Sequence, residues 1–245
     1  MNSIQTLIDE HLKAERDKRE HKSSGRYIAS NLGKCYRAQY WYRKGEPVSN
    51  PPDERTYRVF AVGDIFHQFV QDIIAKQPNA QIEVSASNED FACRADMVID
   101  DEVYEIKSQH SRAFWYMTKS ENIAEDKEPN ILQGLMCAKM LGKVAVRLVF
   151  ISKDDLCIAE YGFALSHEWE EKLAQEIKTL NEIWDKQELP PACPRAYPKK
   201  KGDKIEYAEC GYCGWKTKCE EIELSAEIDK AEKEPKPKEI KGDED

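Results

Sequence analysis

The sequence predicts an α/β (α+β) fold in which helices cover a β-sheet, and three observations carry that prediction. Residues 91–99 and 102–108 alternate in the manner of strands around an Asp100-Asp101 turn. Residues 144–152 and 156–163 repeat the pattern as a second hairpin that extends the sheet. Stretches 57–77 and 166–187 carry apolar residues at helical spacing and are long enough to cover such a sheet. At 245 residues the chain can bury one substantial core, with room for a small appendage.

Taken in order, residues 3–20 place Ile4, Leu7, Ile8 and Leu12 on one stripe, with Ser3 as a cap. That describes an amphipathic helix packed on the core or on a partner. Ser-Asn-Leu-Gly-Lys-Cys-Tyr-Arg (30–37) then runs into an aromatic helix, with Ser30 as its cap and Cys35 in its first turn or two. Residues 44–55 read as a proline-rich linker. The helix over 57–77 takes its apolar surface from Phe60, Phe66, Phe69, Val70, Ile73 and Ile74, with His67 among them. A lone histidine on an apolar helix is ordinarily a core residue. Residues 80–87 form a short strand. The 111–129 region is polar apart from Phe114-Trp115-Tyr116-Met117 and reads as a loop near the hairpin. Its aromatics can stack on bases, but packing onto the core is the favoured role. Residues 130–142 are helical and carry Gln133 and Cys137. The helix over 166–187 gathers Trp169, Leu173, Ile177, Leu180 and Trp184 on the apolar face that covers the sheet, and is ended by Pro190 and Pro191. The chain divides into an N-terminal helix (1–29), a core (30–189), a basic loop with a cysteine cluster (190–219) and an acidic, disordered tail (220–245) that extends a helix briefly before its disorder around 235–245.

A tight turn at Asp100-Asp101 sets Ile99 against Glu102, Val98 against Val103 and Asp96 against Glu105. Lys107 then shares the face of Glu105, while Met97, Ile99, Tyr104 and Ile106 point the other way. Facing carboxylates repel, and a divalent cation with oxygen ligands supplies a reason for them. Lys107 can orient or deprotonate a water and offset charge developing on a phosphate. The plainer alternative is a solvated strand face.

The pattern Asp-x8-Glu-Ile-Lys resembles the PD-(D/E)xK nuclease superfamily, which implies a mixed central sheet flanked by helices. Gly-Asp-Ile-Phe-His (63–67), ahead of the acidic strands, resembles its RecB-like branch. That resemblance implies that His67, Asp96, Glu105 and the Ile106 carbonyl hold Mn2+ or Mg2+, while Lys107 positions the water. It also implies that Gln133 contacts substrate. The tyrosine of the branch's Gln-x3-Tyr motif is replaced here by Cys137.

Eight cysteines in a chain whose N-terminus has no apolar signal region point to thiols and metal, not disulfides, and to the cytoplasm. No apolar run reaches membrane-spanning length. Cys210-x2-Cys213-x5-Cys219 grips one metal centre with three thiolates and leaves a fourth to be found. Cys193 is the local candidate and Cys35 the remote one, and a four-thiolate zinc site competes with a cluster. One remote cysteine plus this terminal run resembles the iron–sulfur nucleases, among them the AddB nuclease domain and the CRISPR-associated RecB-like exonucleases. The resemblance implies a [4Fe–4S] cluster on Cys35, Cys210, Cys213 and Cys219 that ties the two ends of the chain together. Cys93, where relatives tend to have glycine, and Cys157 read as packing residues, as does Cys137.

The net charge is -9, but residues 220–245 hold eleven acidic and five basic residues, a net of -6, which leaves about -3 for the rest. DNA would be met by local basic patches such as Arg195, Lys199, Lys200, Lys201 and Lys204, which can follow a nucleic acid backbone or form a solvated excursion. Together these readings predict a metal-dependent DNA exonuclease acting on single-stranded ends, of the CRISPR spacer-acquisition type, working with DNA and with adaptation or recombination proteins. A phage or repair recombination nuclease with the same site is the alternative, as is a non-catalytic iron–sulfur DNA-binding adaptor.

Overall fold

The computed structural model describes residues 3–18, 24–201 and 204–233. Helix α1 (Ile4–Lys18) precedes a short strand β1 (Tyr27–Ile28) and helices α2 (Tyr36–Lys44) and α3 (Glu54–Ile74). Strands β2 (Ala80–Ser87), β3 (Phe91–Ile99) and β4 (Glu102–Gln109) follow, then helices α4 (Ser111–Thr118), α5 (Ile123–Asp126) and α6 (Glu128–Leu141). Strands β5 (Ala145–Ser152) and β6 (Ile158–Ala164) lead into the long helix α7 (His167–Lys186). A hairpin, β7 (Pro198–Lys201) and β8 (Lys204–Tyr207), precedes helices α8 (Ala208–Gly211) and α9 (Lys216–Lys233).

The main sheet is mixed, as expected. Its order is β1-β3-β4-β5-β6, with β2 on the other edge of β3. Strands β3–β4 and β5–β6 are the two antiparallel hairpins read from the sequence, whereas β4 and β5 run parallel from Glu102↔Ala145 to Gln109↔Ser152. A parallel pair needs a crossover, and α6 supplies it. One core lies between the sheet and helices α6 and α7, where Ile131, Leu132, Leu135, Leu173 and Leu180 meet Val103, Val146, Leu148 and Phe150. A smaller one lies under α3, where Phe66, Val70 and Ile74 cover Met97, Ile106, Val149 and Ile151. Phe60, Phe69 and Ile73 of α3 stay exposed, as do Ile4, Leu7 and Ile8 of α1, so the first helix does not bury its stripe in the core.

Gly134 sets how closely α6 lies on the sheet. A Cβ at this position would come within 2.1 Å of Val146 Cγ2. The missing side chain brings the neighbouring Gln133 down over strand β4.

Four local expectations need correction. Ser30 does not cap α2: Cys35 occupies the cap position, without a side-chain capping bond, and Ser30 lies in a short 3₁₀ turn. The 111–129 region is two helices, because His110 Nδ1 and Asn122 Oδ1 accept from Ala113 N and Glu125 N and start each one. The proline-rich segment is no free linker, since the Ser49 and Asn50 amides both donate to Gly214 O, at 2.9 and 2.8 Å. The basic loop pairs as a hairpin, Pro198↔Tyr207 to Lys201↔Lys204. Beyond Cys219 the chain continues in α9 through Lys233, and the disorder expected around 235–245 lies outside the described residues.

Candidate active site

The β3–β4 ladder pairs Ile99↔Glu102, Val98↔Val103 and Met97↔Tyr104, then stops one step short of Asp96 and Glu105. The turn carries Asp100 at φ 49°, the left-handed conformation that asparagine and aspartate adopt more readily than most other side chains. Asp96 therefore does not sit opposite Glu105 in the ladder. Its Oδ2 instead accepts a 2.7 Å hydrogen bond from the Ile106 amide, so the side chain fills the gap where the strands part. On the other edge, Glu83 (φ 56°) and Asp96 are both skipped by the β2–β3 pairing. Gln71 Nε2 bridges that irregularity, donating to Asp96 O at 3.1 Å and Glu83 Oε1 at 3.2 Å. The kink in both strands frees the Asp96 carboxylate to point at β4.

Glu105 is fully buried. Its Oε2 accepts from Gln133 Nε2 at 2.6 Å and from Lys107 Nζ at 3.2 Å, and Lys107 also donates to Gln133 Oε1 at 3.3 Å. Burial, opposed by Lys107 and reinforced by the Asp96 charge, pushes the Glu105 carboxyl up to about 7. Burial also opposes ionisation of Asp96, but His67, Lys107 and the Ile106 amide outweigh it and hold that group below its ordinary value. Lys107 is raised: burial disfavours its charge, yet Glu105 and Asp96 more than compensate. The pair is thus split into one readily ionised carboxylate and one reluctant one.

His67, on α3, holds Nδ1 3.6 Å from Asp96 Oδ1, beyond hydrogen-bond reach. The Ile106 side chain is buried beneath α3 while its amide is spent on Asp96. Among the described residues no three His, Cys, Asp or Glu side chains already converge closely enough to hold an ion. The donor set nonetheless suits a divalent metal, because an imidazole and two carboxylates offer N and O ligands, and a cation would relieve the penalty on buried Glu105.

The second cluster lies between the chain ends. Cys35, Cys210, Cys213 and Cys219 all line one cavity of about 340 Å³. Burial raises the Cys210 and Cys213 thiols, and the neighbouring thiols raise them further. Buried Arg37 donates from Nη1 to Cys219 Sγ at 3.3 Å, and the Trp41 and Trp215 rings pack 6.1 Å apart beside the cavity. Cys193 is exposed and absent from the lining, although Ala192 and Pro194 belong to it. Four thiols on one cavity suit a four-thiolate metal centre. Cys93 and Cys137 are buried, with Cys137 Sγ 4.0 Å from Glu105 Oε1 and pushed up by its contact with Cys93 and by burial. Cys157 is exposed just before β6, so it is not a packing residue.

Several residues of this region gave no signal in the sequence. Tyr197 (φ 57°) is near enough to Lys107 to act on its charge, and its hydroxyl lies 3.5 Å from Asn130 Oδ1. Lys34 lines the cysteine cavity with its pKa lowered, by burial first and by Lys107 second. Glu176 of α7 is buried and accepts from Gly33 N, Tyr36 Oη and both terminal nitrogens of Arg195, the last at 3.1 and 2.8 Å. That bidentate pair anchors the segment before β7 to the core. The side chains of Lys199, Lys200, Lys201 and Lys204 lie outside what is described; their backbones form the β7–β8 hairpin.

No protein-family model matches the chain, and no curated protein matches it. Solved structures do. SSO0001 superposes with a TM-score of 0.56 at 18% identity, covering 86% of this chain and 93% of that one. LHK-Exo, an alkaline exonuclease from Laribacter hongkongensis crystallised with dAMP, superposes with a TM-score of 0.51 at 12% identity, covering 70% and 93%. The fold is shared. At these identities the likeness extends to the fold alone.

Proposed function

We propose that this chain is a metal-dependent deoxyribonuclease, an exonuclease of the RecB-like iron–sulfur kind that acts on single-stranded DNA ends. One observation carries the reading: Asp96 and buried Glu105 lie where β3 and β4 part, with Lys107 hydrogen-bonded to Glu105 on the same strand. Asp96, Glu105, His67 and the Ile106 carbonyl would hold Mn2+ or Mg2+. The bound ion would polarise the scissile phosphate and lower the pKa of an attacking water. Lys107, kept charged by the two carboxylates, is suited to orient that water and offset charge on the phosphate oxygens. Gln133 fixes Lys107 and Glu105 in this arrangement and faces substrate. The relation to an exonuclease crystallised with a nucleotide supports the substrate class, through the shared fold.

The cavity lined by Cys35, Cys210, Cys213 and Cys219 would hold a [4Fe–4S] cluster that joins the chain's ends. The role proposed for it is CRISPR spacer acquisition; a phage or repair recombination nuclease would carry the same site, and the neighbouring genes distinguish the two. A non-catalytic adaptor has no need of a buried carboxylate with a lysine at 3.2 Å. The deciding assay is digestion of end-labelled single strands with and without Mn2+. The parent should shorten them only with the metal, and Asp96→Ala should not shorten them at all; cleavage by Asp96→Ala would refute the reading.

A further inference from the structure

Helix α4 begins two residues beyond the end of β4 and carries two large rings into solvent. Trp115 and Tyr116 are 56% and 58% exposed, while Phe114 and Met117 turn inward to the core. Of the five tryptophans, Trp115 is the one that is exposed. The two rings meet edge-on with centroids 5.0 Å apart, and the Arg112 guanidinium lies 5.8 Å from the centre of Tyr116. Tyr116 lines an open groove of about 830 Å³, together with Gln109, His110, Arg112, Lys127 and Tyr197.

The groove starts two residues from the candidate active site along β4. Gln109, on its wall, lies on the same face of the strand as Lys107, and Tyr197, also on its wall, is near enough to Lys107 to act on its charge. The groove's charges are mixed. Arg112 and Lys127 are answered by Glu125, Asp126 and Glu128, and Arg195 is already held by Glu176. A surface of mixed sign does not track a polyanionic backbone. It suits the neutral, flat part of the same ligand, since every base has a π-face and stacks on exposed aromatic rings. Gln109 on the groove wall has its Nε2 buried, with no hydrogen-bond partner among the described residues.

We propose that Trp115 and Tyr116 form a stacking platform for unpaired nucleobases, and that the groove beside them receives the bases next to the scissile phosphate. The proposal rests on the nuclease reading and specifies its substrate as a strand with bases free to unstack. Paired bases keep their faces covered, so a duplex cannot use the platform without opening.

The test measures binding without turnover, in chelator, by fluorescence anisotropy with two strands of equal length: an oligothymidylate and an abasic strand with the same phosphates. The parent should bind the base-bearing strand about tenfold tighter, the size of one stacked base, with quenching of the exposed tryptophan emission. The Trp115→Ala/Tyr116→Ala variant should lose this preference and bind both strands as the parent binds the abasic one. Trp115→Phe should keep most of it, and circular dichroism should show both variants folded. A double variant that keeps the parent's preference overturns the platform. If the parent still cleaves in Mn2+ in that case, the nuclease reading survives alone. A parent that neither binds nor cleaves DNA overturns both. Retained DNA preference combined with loss of a protein partner from the double variant would assign the rings to that partner and overturn the platform.

Discussion

The buried carboxylate of Glu105 gives the sharpest test of the candidate site. Glu105→Gln keeps its shape: the amide oxygen can still accept from Gln133 Nε2 and Lys107 Nζ, and the amide nitrogen faces Cys137. What it removes is a proton equilibrium. In the unfolded chain the Glu105 carboxyl titrates near its ordinary 4.5, and in the folded protein burial holds it up to about 7. Between those values the unfolded state has lost the proton that the folded state keeps, so rising pH favours unfolding. The loss begins near pH 4.5, accumulates to about pH 7 and is constant above; at 1.36 kcal/mol per pH unit it amounts to about 3 kcal/mol. Asp96 is shifted the opposite way and titrates below this window in both proteins. Lys107 stays protonated throughout, so loss of its ionic partner is a constant offset. Urea unfolding in chelator from pH 5 to pH 8 should therefore show the variant gaining about 2–3 kcal/mol on the parent as pH rises. Adding Mn2+ at a hundredfold excess over its Kd should restore about 2.7 kcal/mol to the parent and much less to the variant. Parallel pH profiles would refute the burial argument, and equal stabilisation by Mn2+ would show that Glu105 is no ligand.

Protein purified without oxygen should be brown; Cys35→Ala should lose the colour and iron, while Cys193→Ala, altering an exposed thiol off the cavity lining, should keep both. Stoichiometric zinc in colourless parent protein would exclude the cluster. Lys107→Ala should abolish turnover with DNA affinity nearly unchanged, whereas replacing Lys199, Lys200 and Lys201 together should weaken binding and flatten its salt dependence, measured by anisotropy across a salt series. Gly134→Ala should cost about 1–3 kcal/mol in denaturant melts, since the new methyl meets Val146 at 2.1 Å, and adding Val146→Ala should recover part of it.

Local chemistry made the hairpins and the long helices legible. The Asp100-Asp101 turn and the alternation on both sides of it determine the register over Val98↔Val103, because neighbours in sequence set both. The Asp-x8-Glu-Ile-Lys spacing singled out the residues that the fold gathers where the strands part. The sequence places the start of α3 three residues late, because Asp53, which reads as linker, accepts from Thr56 N and caps the helix. Sequence could not show that the ladder breaks at Asp96, because the break depends on Glu83 and Gln71 from two other elements. Nor could it show β1, two residues that become a strand only because β3 has parted from β4 and leaves the edge at Phe91 and Ala92 open. The proline-rich segment reads as a linker until Gly214, more than 160 residues later, accepts the amides of Ser49 and Asn50. Glu176 and Arg195 look like ordinary surface charges in the sequence, and only the packing of α7 against the C-terminal segment buries the carboxylate and pairs the two. Sequence by itself determined the periodicities, the turns and the reactive residue types. Tertiary structure decided which of those residues lose water and meet, because burial and close approach belong to segments far apart in the chain.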